Sequence, residues 1–417
     1  MKIKLVTFAP HPNFGTCLQS YALNYVLRKM GHDVEFIYNG REKPSQSFVK
    51  VVTKKCLKSF LPKSFIASIK AKRQANMVSQ RKEPYILELP NHPFLYRLSK
   101  LPFYEKVYKM LKFRNLQWKK VYKFTHEDGN FNMRRIYTHQ QYAEVTADTD
   151  LFITGSDQIW NPYCGGFNPM MFVEFGGDKK RVAYSSSISL LELPASIVPR
   201  MKKDLEKFQH IAVREQRSVE LLSKLLHRDD IKLVVDPTYL LTAEEWEAFG
   251  NKSEIEFELP ERYIFCYFVG DKRAGIYEQM VQDVKRFTGI QDVITLECYN
   301  RDLYYGNGRL YKDAGPYEWV YLLRHASYVC MDSFHATVFA LKFQKEFVHA
   351  MKNADTEAGS QNTRMYDILS RYGILYKNYN AKGGNNWQRT IDYQRLALLI
   401  ESEIKDSIDY LKYEIEN

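Results

Sequence analysis

Short apolar stretches alternate along this chain with longer segments in which apolar residues recur at helical spacing. The pattern opens with "KIKLVTF" (2–8), which predicts a buried strand, and residues 13–38 predict a helix followed by a second strand. One face of this helix carries Leu18, Ala22, Leu23, Val26 and Leu27. Thr16 is its predicted N-cap, and Gly31 is the residue predicted to end it. A strand, a helix and a strand in this order predict a parallel sheet.

The same alternation resumes after residue 148 and continues into the C-terminal region. Residues 210–225 predict a short strand, a turn and a helix. Other strands are predicted at 151–154, 181–189, 231–241, 262–271, 292–296, 327–331 and 346–350. Other helices are predicted at 196–208, 274–287, 316–326, 336–343 and 388–414. Two successive strand–helix arrays predict an α/β fold of two Rossmann-like domains facing a cleft, with ligands bound beyond the carboxyl ends of the strands.

The length of 417 residues also favours two domains over a single core. We expect the first domain over residues 1–255 and the second over 256–417, with C-terminal helices that return to the first domain. Within the first domain, residues 41–135 break the alternation and mix basic with aromatic residues and prolines. This composition predicts an inserted segment of short helices and loops.

The charge of the chain is concentrated in that insertion. Residues 41–135 hold 23 Lys and Arg against 6 Asp and Glu, so the rest of the chain carries −6 although the whole chain carries +11. Basic residues beside Phe, Leu, Tyr and Trp are typical of a surface that contacts anionic lipid. A solvated insertion with some buried aromatic residues explains the same composition. Nucleic-acid binding is disfavoured because no nucleic-acid motif accompanies the charge.

Several classes of protein are disfavoured by the sequence. No apolar stretch approaches the length of a membrane span, and the N-terminal residues do not have the pattern of a signal peptide. The six cysteines are scattered without a CxxC pair, which predicts reduced thiols in the cytoplasm. The ten histidines show no ligand spacing, so a structural metal is not expected. No cofactor is expected either. The dinucleotide and ATP phosphate-loop fingerprints are missing from the sequence.

Polar residues gather at three predicted strand ends, and the first of these is "ITGSDQIWNP" (153–162). Gly155 permits a tight turn that presents Ser156, Asp157 and Gln158. A carboxylate in this position can accept a proton from a substrate hydroxyl. An Asx-type turn that caps the next helix is the alternative interpretation.

The other two strand ends carry basic residues. Arg214 and Arg217 in "VREQRS" (213–218) stand where a helix is predicted to begin. A pair of arginines in this position binds phosphate or carboxylate well. The alternative interpretation is a helix start exposed to solvent. His335 in "DSFH" (332–335) suits proton transfer or phosphate binding, unless it is a structural histidine.

Two more positions complete the candidate set. Arg364 in "QNTRMYDIL" offers another anion contact, although a role in capping a helix explains it equally well. Asn13 heads the single-glycine turn "NFGTCLQ", which opens the first predicted helix.

Taken together, these turns resemble the polysaccharide pyruvyl transferase family. The matching strings are "NFGTCLQSYALNYVLRKMGHDVEFI", "FITGSDQIWNP", "AVREQRS", "VVDPTYLL" and "DSFHATVFALKFQKEFV". The resemblance implies a GT-B-like fold of two domains. It also implies a reaction in which the enolpyruvyl group of phosphoenolpyruvate moves to two hydroxyls of one sugar and forms a pyruvate ketal.

The resemblance assigns roles to individual residues. Arg214 matches the arginine that binds phosphoenolpyruvate, and His335 matches the histidine that protonates the methylene carbon or assists phosphate departure. The resemblance assigns no base, and Asp157 is the candidate base on its placement alone. Ser156, Gln158, Asn13 and Ser333 accompany it as candidate contacts to substrate. Ser333 stands where one branch of the family has an arginine, so we expect Arg217 or Arg364 to supply the missing donor contact.

The same resemblance implies which acceptor the protein uses and where in the cell it meets that acceptor. The acceptor is expected to be a sugar or lipid-linked oligosaccharide of surface-polysaccharide synthesis, met in the cytoplasm or at the inner face of the membrane through residues 41–135. A nucleotide-sugar glycosyltransferase and a non-catalytic membrane-associated assembly protein remain the alternatives.

Overall fold

The computed structural model describes residues 1–39, 83–104, 116–270, 274–298, 308–355, 360–380 and 386–416. It contains two parallel β-sheets, each flanked by helices. The helices are α1 (Phe14–Lys29), α2 (Pro93–Ser99), α3 (Leu116–Tyr122), α4 (His139–Ala147), α5 (Val198–Leu205), α6 (Gln216–Leu226), α7 (Ala243–Gly250), α8 (Ala274–Thr288), α9 (Pro316–His325), α10 (Phe334–Lys342), α11 (Thr363–Arg371) and α12 (Tyr393–Glu416).

The first sheet has seven strands in the order β3-β2-β1-β4-β5-β6-β7. They are β1 (Lys2–Val6), β2 (Asp33–Asn39), β3 (Met133–Ile136), β4 (Leu151–Thr154), β5 (Lys180–Ser186), β6 (His210–Val213) and β7 (Lys232–Leu233). The order reverses at β1, which pairs with β2 on one side and with β4 on the other. That reversal is where a doubly wound sheet opens a crevice at the carboxyl ends of its strands.

The second sheet has five strands in the order β10-β9-β8-β11-β12. They are β8 (Ile264–Tyr267), β9 (Val293–Leu296), β10 (Arg309–Tyr311), β11 (Tyr328–Met331) and β12 (Phe347–His349). Here the order reverses at β8, between β9 and β11. The two parallel sheets confirm the predicted α/β architecture of two Rossmann-like domains.

Burial explains why the strands were recognisable in the sequence. Strands β4, β8, β9 and β11 are buried at every position, as expected for parallel strands covered on both faces. One hydrophobic cluster runs through both domains, since it includes Leu5 of the first sheet and Phe265 of the second. Apolar packing therefore joins the two domains behind the cleft.

Some elements differ from the predictions. Helix α1 begins after Asn13, so Asn13 and not Thr16 occupies the N-cap position, while Gly31 follows the helix with a φ of 89°. The strand predicted at 231–241 is only two residues long, because Asp236 and the following proline open a 3₁₀ turn. The sequence offered no sign of β10, which is short and only partly buried.

The basic insertion also ends earlier than the predicted residue 135. Its last residues, from Met133 onward, form β3, which pairs with β2 at the edge of the first sheet. Three of the four residues of β3 are only partly buried, so the segment lacks the apolar run of an interior strand. Residues 41–82 and 105–115 of the insertion lie outside the described residues, and its contact with a membrane stays a prediction.

The C-terminal helix α12 contacts both domains, since the Tyr393 hydroxyl at its start donates to the carbonyl of Lys345 in the second domain. Ser407 accepts a hydrogen bond from the amide of Val235 at 3.0 Å, and the Tyr410 hydroxyl donates to the carbonyl of Ala183 at 3.4 Å. The last part of the chain therefore holds the two domains together. Among the described helices, none combines the length and the apolar character needed to cross a membrane.

Candidate active site between the two sheets

A cavity of about 210 Å³ opens where the two strand-order reversals face each other. Residues that follow β1 and β4 form its first wall, namely Phe8, His11, Asn13, Thr16, Asp157 and Gln158. Residues that follow β8, β11 and β12 contribute to its second wall, namely Val269, Ser333, His335, Lys352, Gln361 and Arg364. The polar residues at strand ends, which are far apart in the sequence, thus meet in one place.

Three helices direct their N-termini at this cavity. Asn13 precedes α1 and Ser333 precedes α10, and both residues line the cavity. Arg364 lies in the first turn of α11. The unpaired amides and the helix dipole at such termini favour bound anions. The arrangement therefore gives the cavity a positive potential even before side-chain charges are counted.

Helix α1 approaches His335 more closely than a larger residue would allow. A Cβ atom added at Gly15 would lie 2.3 Å from Nδ1 of His335. Gly15 is therefore required for the contact between the first helix of one domain and the histidine of the other. The sequence showed a single-glycine turn here, but not what the glycine touches.

His335 stands beside a buried charge cluster. Its Nε2 lies 3.5 Å from Oδ2 of Asp236 and 3.5 Å from Nη1 of Arg214. The same Asp236 oxygen accepts hydrogen bonds from Arg214 at 2.7 Å and from Ser156 at 2.8 Å. Burial opposes ionisation of Asp236, but the positive charges of His335 and Arg214 hold its pKa far below the usual range.

Arg214 belongs to this charge cluster and does not line the cavity. Its guanidinium also lies 4.3 Å from the ring of Phe334. Burial opposes its charge, yet Asp236, Glu215 and Asp157 together raise its pKa. Among the described residues, Nη2 of Arg214 has no hydrogen-bond partner, although Oδ1 of Asp157 lies 3.5 Å away. One strong donor is therefore left beside the site.

Asp157 has an unusual backbone and a firmly held carboxylate. Its φ of 75° is rare for a residue with a side chain. Oδ2 accepts from the Thr16 hydroxyl at 2.8 Å, and Oδ1 accepts from the amide of Gln158 at 2.8 Å. Burial opposes the charge, but His335 and Arg214 lower the pKa of Asp157 to about 2. The carboxylate is thus ionised at neutral pH and only weakly basic.

Arg364 of the second wall contacts Gln158 of the first wall. With the Gln158 amide turned so that its oxygen faces the guanidinium, Nη2 and Nε of Arg364 lie 3.0 and 3.2 Å from that oxygen. Burial, reinforced by the positive charge of Arg214, lowers the pKa of Arg364. Within the described ranges Arg364 has no carboxylate within ion-pair distance, so an anionic ligand would complete its surroundings.

Besides Arg214, which was expected to bind the donor, two more of the predicted site residues do not line the cavity. Arg217 donates to the carbonyl of Leu191 and pairs with Glu220 on the surface of α6, so it is not positioned to contact a ligand in the cavity. Ser156 is fully buried behind the cavity wall, where it links Asp236 to Arg214. Ser156 and Asp157 are adjacent in one turn, yet only Asp157 lines the cavity. The sequence alone did not show this difference.

Several residues of the site were missed. Asp236 closes a predicted strand, Asp332 opens the DSFH turn, and Lys352 follows the last strand of the second sheet. The position of each at a strand end was the available signal. No group of three or more His, Cys, Asp or Glu in the described part of the chain is arranged to hold a metal ion.

Comparison with protein-family profiles gives a match that covers most of the chain. The sequence profile of the polysaccharide pyruvyl transferase family matches residues 13–353. A search of curated proteins found no significant match.

Similar solved structures include nucleotide-sugar enzymes. UDP-GlcNAc 2-epimerase from Neisseria meningitidis, bound to UDP-GlcNAc, is 10% identical with a TM-score of 0.47, and the match covers 100% of both chains. The glycosyltransferase SnogD from Streptomyces nogalater is 13% identical with a TM-score of 0.46, and the match covers 98% of this chain and 96% of that one. A glycosyltransferase from Rickettsia africae is 11% identical with a TM-score of 0.43, over 100% of this chain and 98% of that one. Likeness at this level says nothing about what the present chain binds.

Proposed function

The chain belongs to the polysaccharide pyruvyl transferase family, a family of transferases, and on this basis we propose that it transfers the enolpyruvyl group of phosphoenolpyruvate to a sugar. Two hydroxyls of the sugar become bonded to one carbon, which gives a pyruvate ketal and inorganic phosphate. The acceptor in this proposal is a sugar of a surface-polysaccharide precursor, carried on a lipid and met on the cytoplasmic side of the membrane.

One observation carries the proposal: a small cavity between the domains combines three helix N-termini with Arg364, Lys352 and His335. Phosphoenolpyruvate is a small molecule with a carboxylate and a phosphate. Both groups need donors with positive charge, and the cavity supplies helix amides and cationic side chains from the two domains. The site therefore suits a compact ligand with several negative charges.

The proposed reaction starts with proton transfer from His335 to the methylene carbon of the donor. The neighbouring carbon becomes cationic, and a sugar hydroxyl forms a bond to it. Loss of phosphate makes that carbon cationic again, and the second hydroxyl closes the ketal. Asp236 and Arg214, which contact Nε2 of His335, hold the imidazole in position for the first step.

The acceptor protons need a base during these steps. Asp157 is ionised, but a carboxylate with a pKa of about 2 is a weak base. A phosphate group with a second pKa of about 6 is more basic, so the departing phosphate receives one of the two acceptor protons. The other acceptor proton returns to the imidazole of His335 and replaces the one given to the methylene carbon. In this mechanism Asp157 orients Thr16 and Arg214 and accepts a hydrogen bond from the acceptor hydroxyl.

Ligand-dependent thermal stability tests this proposal first. A ligand that binds the native state raises the unfolding midpoint by mass action. We expect phosphoenolpyruvate to raise the midpoint of the wild type, and UDP-, GDP- and CMP-sugars to leave it unchanged. Arg364→Gln should lose most of the shift, whereas Arg217→Gln, which changes an arginine on the surface, should keep it.

The product of the reaction decides between the remaining functions. With phosphoenolpyruvate and an acceptor, the wild type should release phosphate. The rate of phosphate release by His335→Gln should be at least about 100-fold lower. A midpoint shift with a nucleotide-sugar and none with phosphoenolpyruvate would contradict the proposal and favour glycosyl transfer. Binding without turnover on any acceptor would favour a non-catalytic assembly role.

A further inference from the structure

Lys352 is a cation of the cavity to which the family resemblance assigned no role. It comes three residues after β12, whose last residue His349 pairs with Met331, the last residue of β11. The carboxyl ends of these parallel strands therefore bring Lys352 beside the turn that holds Ser333 and His335. Lys352 lines the cavity together with both of them.

The chain makes room for this lysine. A Cβ atom added at Gly270 would lie 2.9 Å from Cγ of Lys352 and 2.8 Å from Oδ2 of Asp332. The aliphatic part of Lys352 thus passes over a glycine backbone that Asp332 holds in place. Asp332 accepts hydrogen bonds from the amides of Val269 and Gly270, at 2.6 and 2.7 Å.

The charge of Lys352 acts on Asp332, but the two form no ion pair among the described residues. Three donors already occupy the Asp332 oxygens, the third being the Tyr277 hydroxyl at 2.7 Å. Across the described residues, Lys352 makes no hydrogen bond and has no carboxylate within ion-pair distance. A partly buried ammonium without a counterion, at the edge of a cavity, favours an anionic ligand.

We propose that Lys352 binds the phosphate of the donor, while Arg364 binds its carboxylate. This inference rests on the proposed function and extends it to the recognition of the two ends of the donor. A planar guanidinium matches a carboxylate, which keeps its shape through the reaction. A lysine is a point charge on a flexible stem, and it can follow a phosphate that moves away as its bond breaks. The amides that begin α10 lie beside the same phosphate position.

The test compares two variants with three ligands. Binding of phosphoenolpyruvate, inorganic phosphate and pyruvate is measured by calorimetry for the wild type, Lys352→Met and Arg364→Gln. Lys352→Met should weaken the binding of phosphoenolpyruvate and of phosphate by at least about tenfold and leave the affinity for pyruvate unchanged. Arg364→Gln should show the reverse selectivity, with pyruvate weakened and phosphate retained.

Controls separate a binding role from a structural one. Lys352→Arg keeps the charge and should restore most of the phosphate affinity, and Lys224→Met, an exposed lysine on α6, should behave as the wild type. The unliganded unfolding midpoint of Lys352→Met should stay close to that of the wild type. Unchanged phosphate and phosphoenolpyruvate affinities in Lys352→Met would overturn the inference.

The experiment also distinguishes this inference from the proposed function. If the wild type binds phosphate but not phosphoenolpyruvate, the proposed function fails, and the effect of Lys352→Met on phosphate still decides the role of the lysine. If the wild type binds neither ligand, both proposals are overturned.

Discussion

Gly15 and His335 show how strongly single residues constrain this site. The glycine belongs to the first domain and the histidine to the second, and no atom larger than hydrogen fits between the Gly15 backbone and Nδ1 of His335. The contact sets the distance between α1 and α10 at the place where the ligand is expected. A change at Gly15 therefore acts on the histidine and not only on the helix that carries the glycine.

Gly15→Ala should displace the imidazole of His335 and lower turnover by about 100-fold, because a shift of about 1 Å in a reacting group has an effect of that size. Turnover is measured as phosphate release in the presence of acceptor. Gly275→Ala is the matched control, because a Cβ atom there meets no atom within 4 Å. In helix α8 that change should leave turnover unchanged and stabilise the protein by up to about 1 kcal/mol. Full turnover in Gly15→Ala would contradict the assigned contact.

At the scale of elements, α12 contributes more to the fold than its place at the end of the chain indicates. Its residues Ser407 and Tyr410 bond to the main chain of the first domain, and Leu411 is fully buried in the cluster shared by the two domains. The helical pattern at 388–414 predicted a helix, but periodicity cannot show which sheet the apolar face meets. The expectation that the C-terminal helices return to the first domain did not come from this periodicity, and the packed structure gives the individual contacts.

Leu411→Ala should lower the free energy of unfolding by about 2–5 kcal/mol, since it leaves a cavity in a well-packed cluster. Leu398 lies on the same helix and is 73% exposed. Leu398→Ala should therefore change the free energy of unfolding by less than about 0.5 kcal/mol. Urea unfolding of the two variants measures the difference. Equal costs for the two variants would show that α12 is not docked as described.

At the scale of the whole molecule, the buried charge cluster links the site to the stability of the protein. Asp157 and Asp236 lie between the domains, and both have pKa values below those of an unfolded chain. A depressed pKa in the folded state stabilises the protein above the unfolded pKa, near 3.9. That stabilisation is lost as the pH falls through the folded value.

The free energy of unfolding should therefore decline between about pH 4 and pH 2, and Asp157→Asn should remove about 2 kcal/mol of this dependence. Denaturant unfolding over that pH range measures the slope. Asp178→Asn, at an exposed carboxylate, should keep the slope of the wild type. An identical slope in Asp157→Asn would mean that the carboxylate is not paired as described.

The sequence by itself determined the alternation of strands and helices, the two-domain α/β class and the family. These depend on local features: buried parallel strands are continuous apolar runs, and helices repeat their apolar face every few residues. It also identified His335, Asp157, Gln158 and Arg364 as residues at strand ends or helix starts. All four line the cavity.

Only the tertiary structure decided which of the polar residues act together. Arg214 and Arg217 are three residues apart, yet one is buried against Asp236 and the other pairs with Glu220 on the surface. Lys352 joins the site because β11 and β12 end side by side. The physical reason is that side-chain direction and strand neighbours depend on contacts between distant segments, which local propensity and spacing do not record.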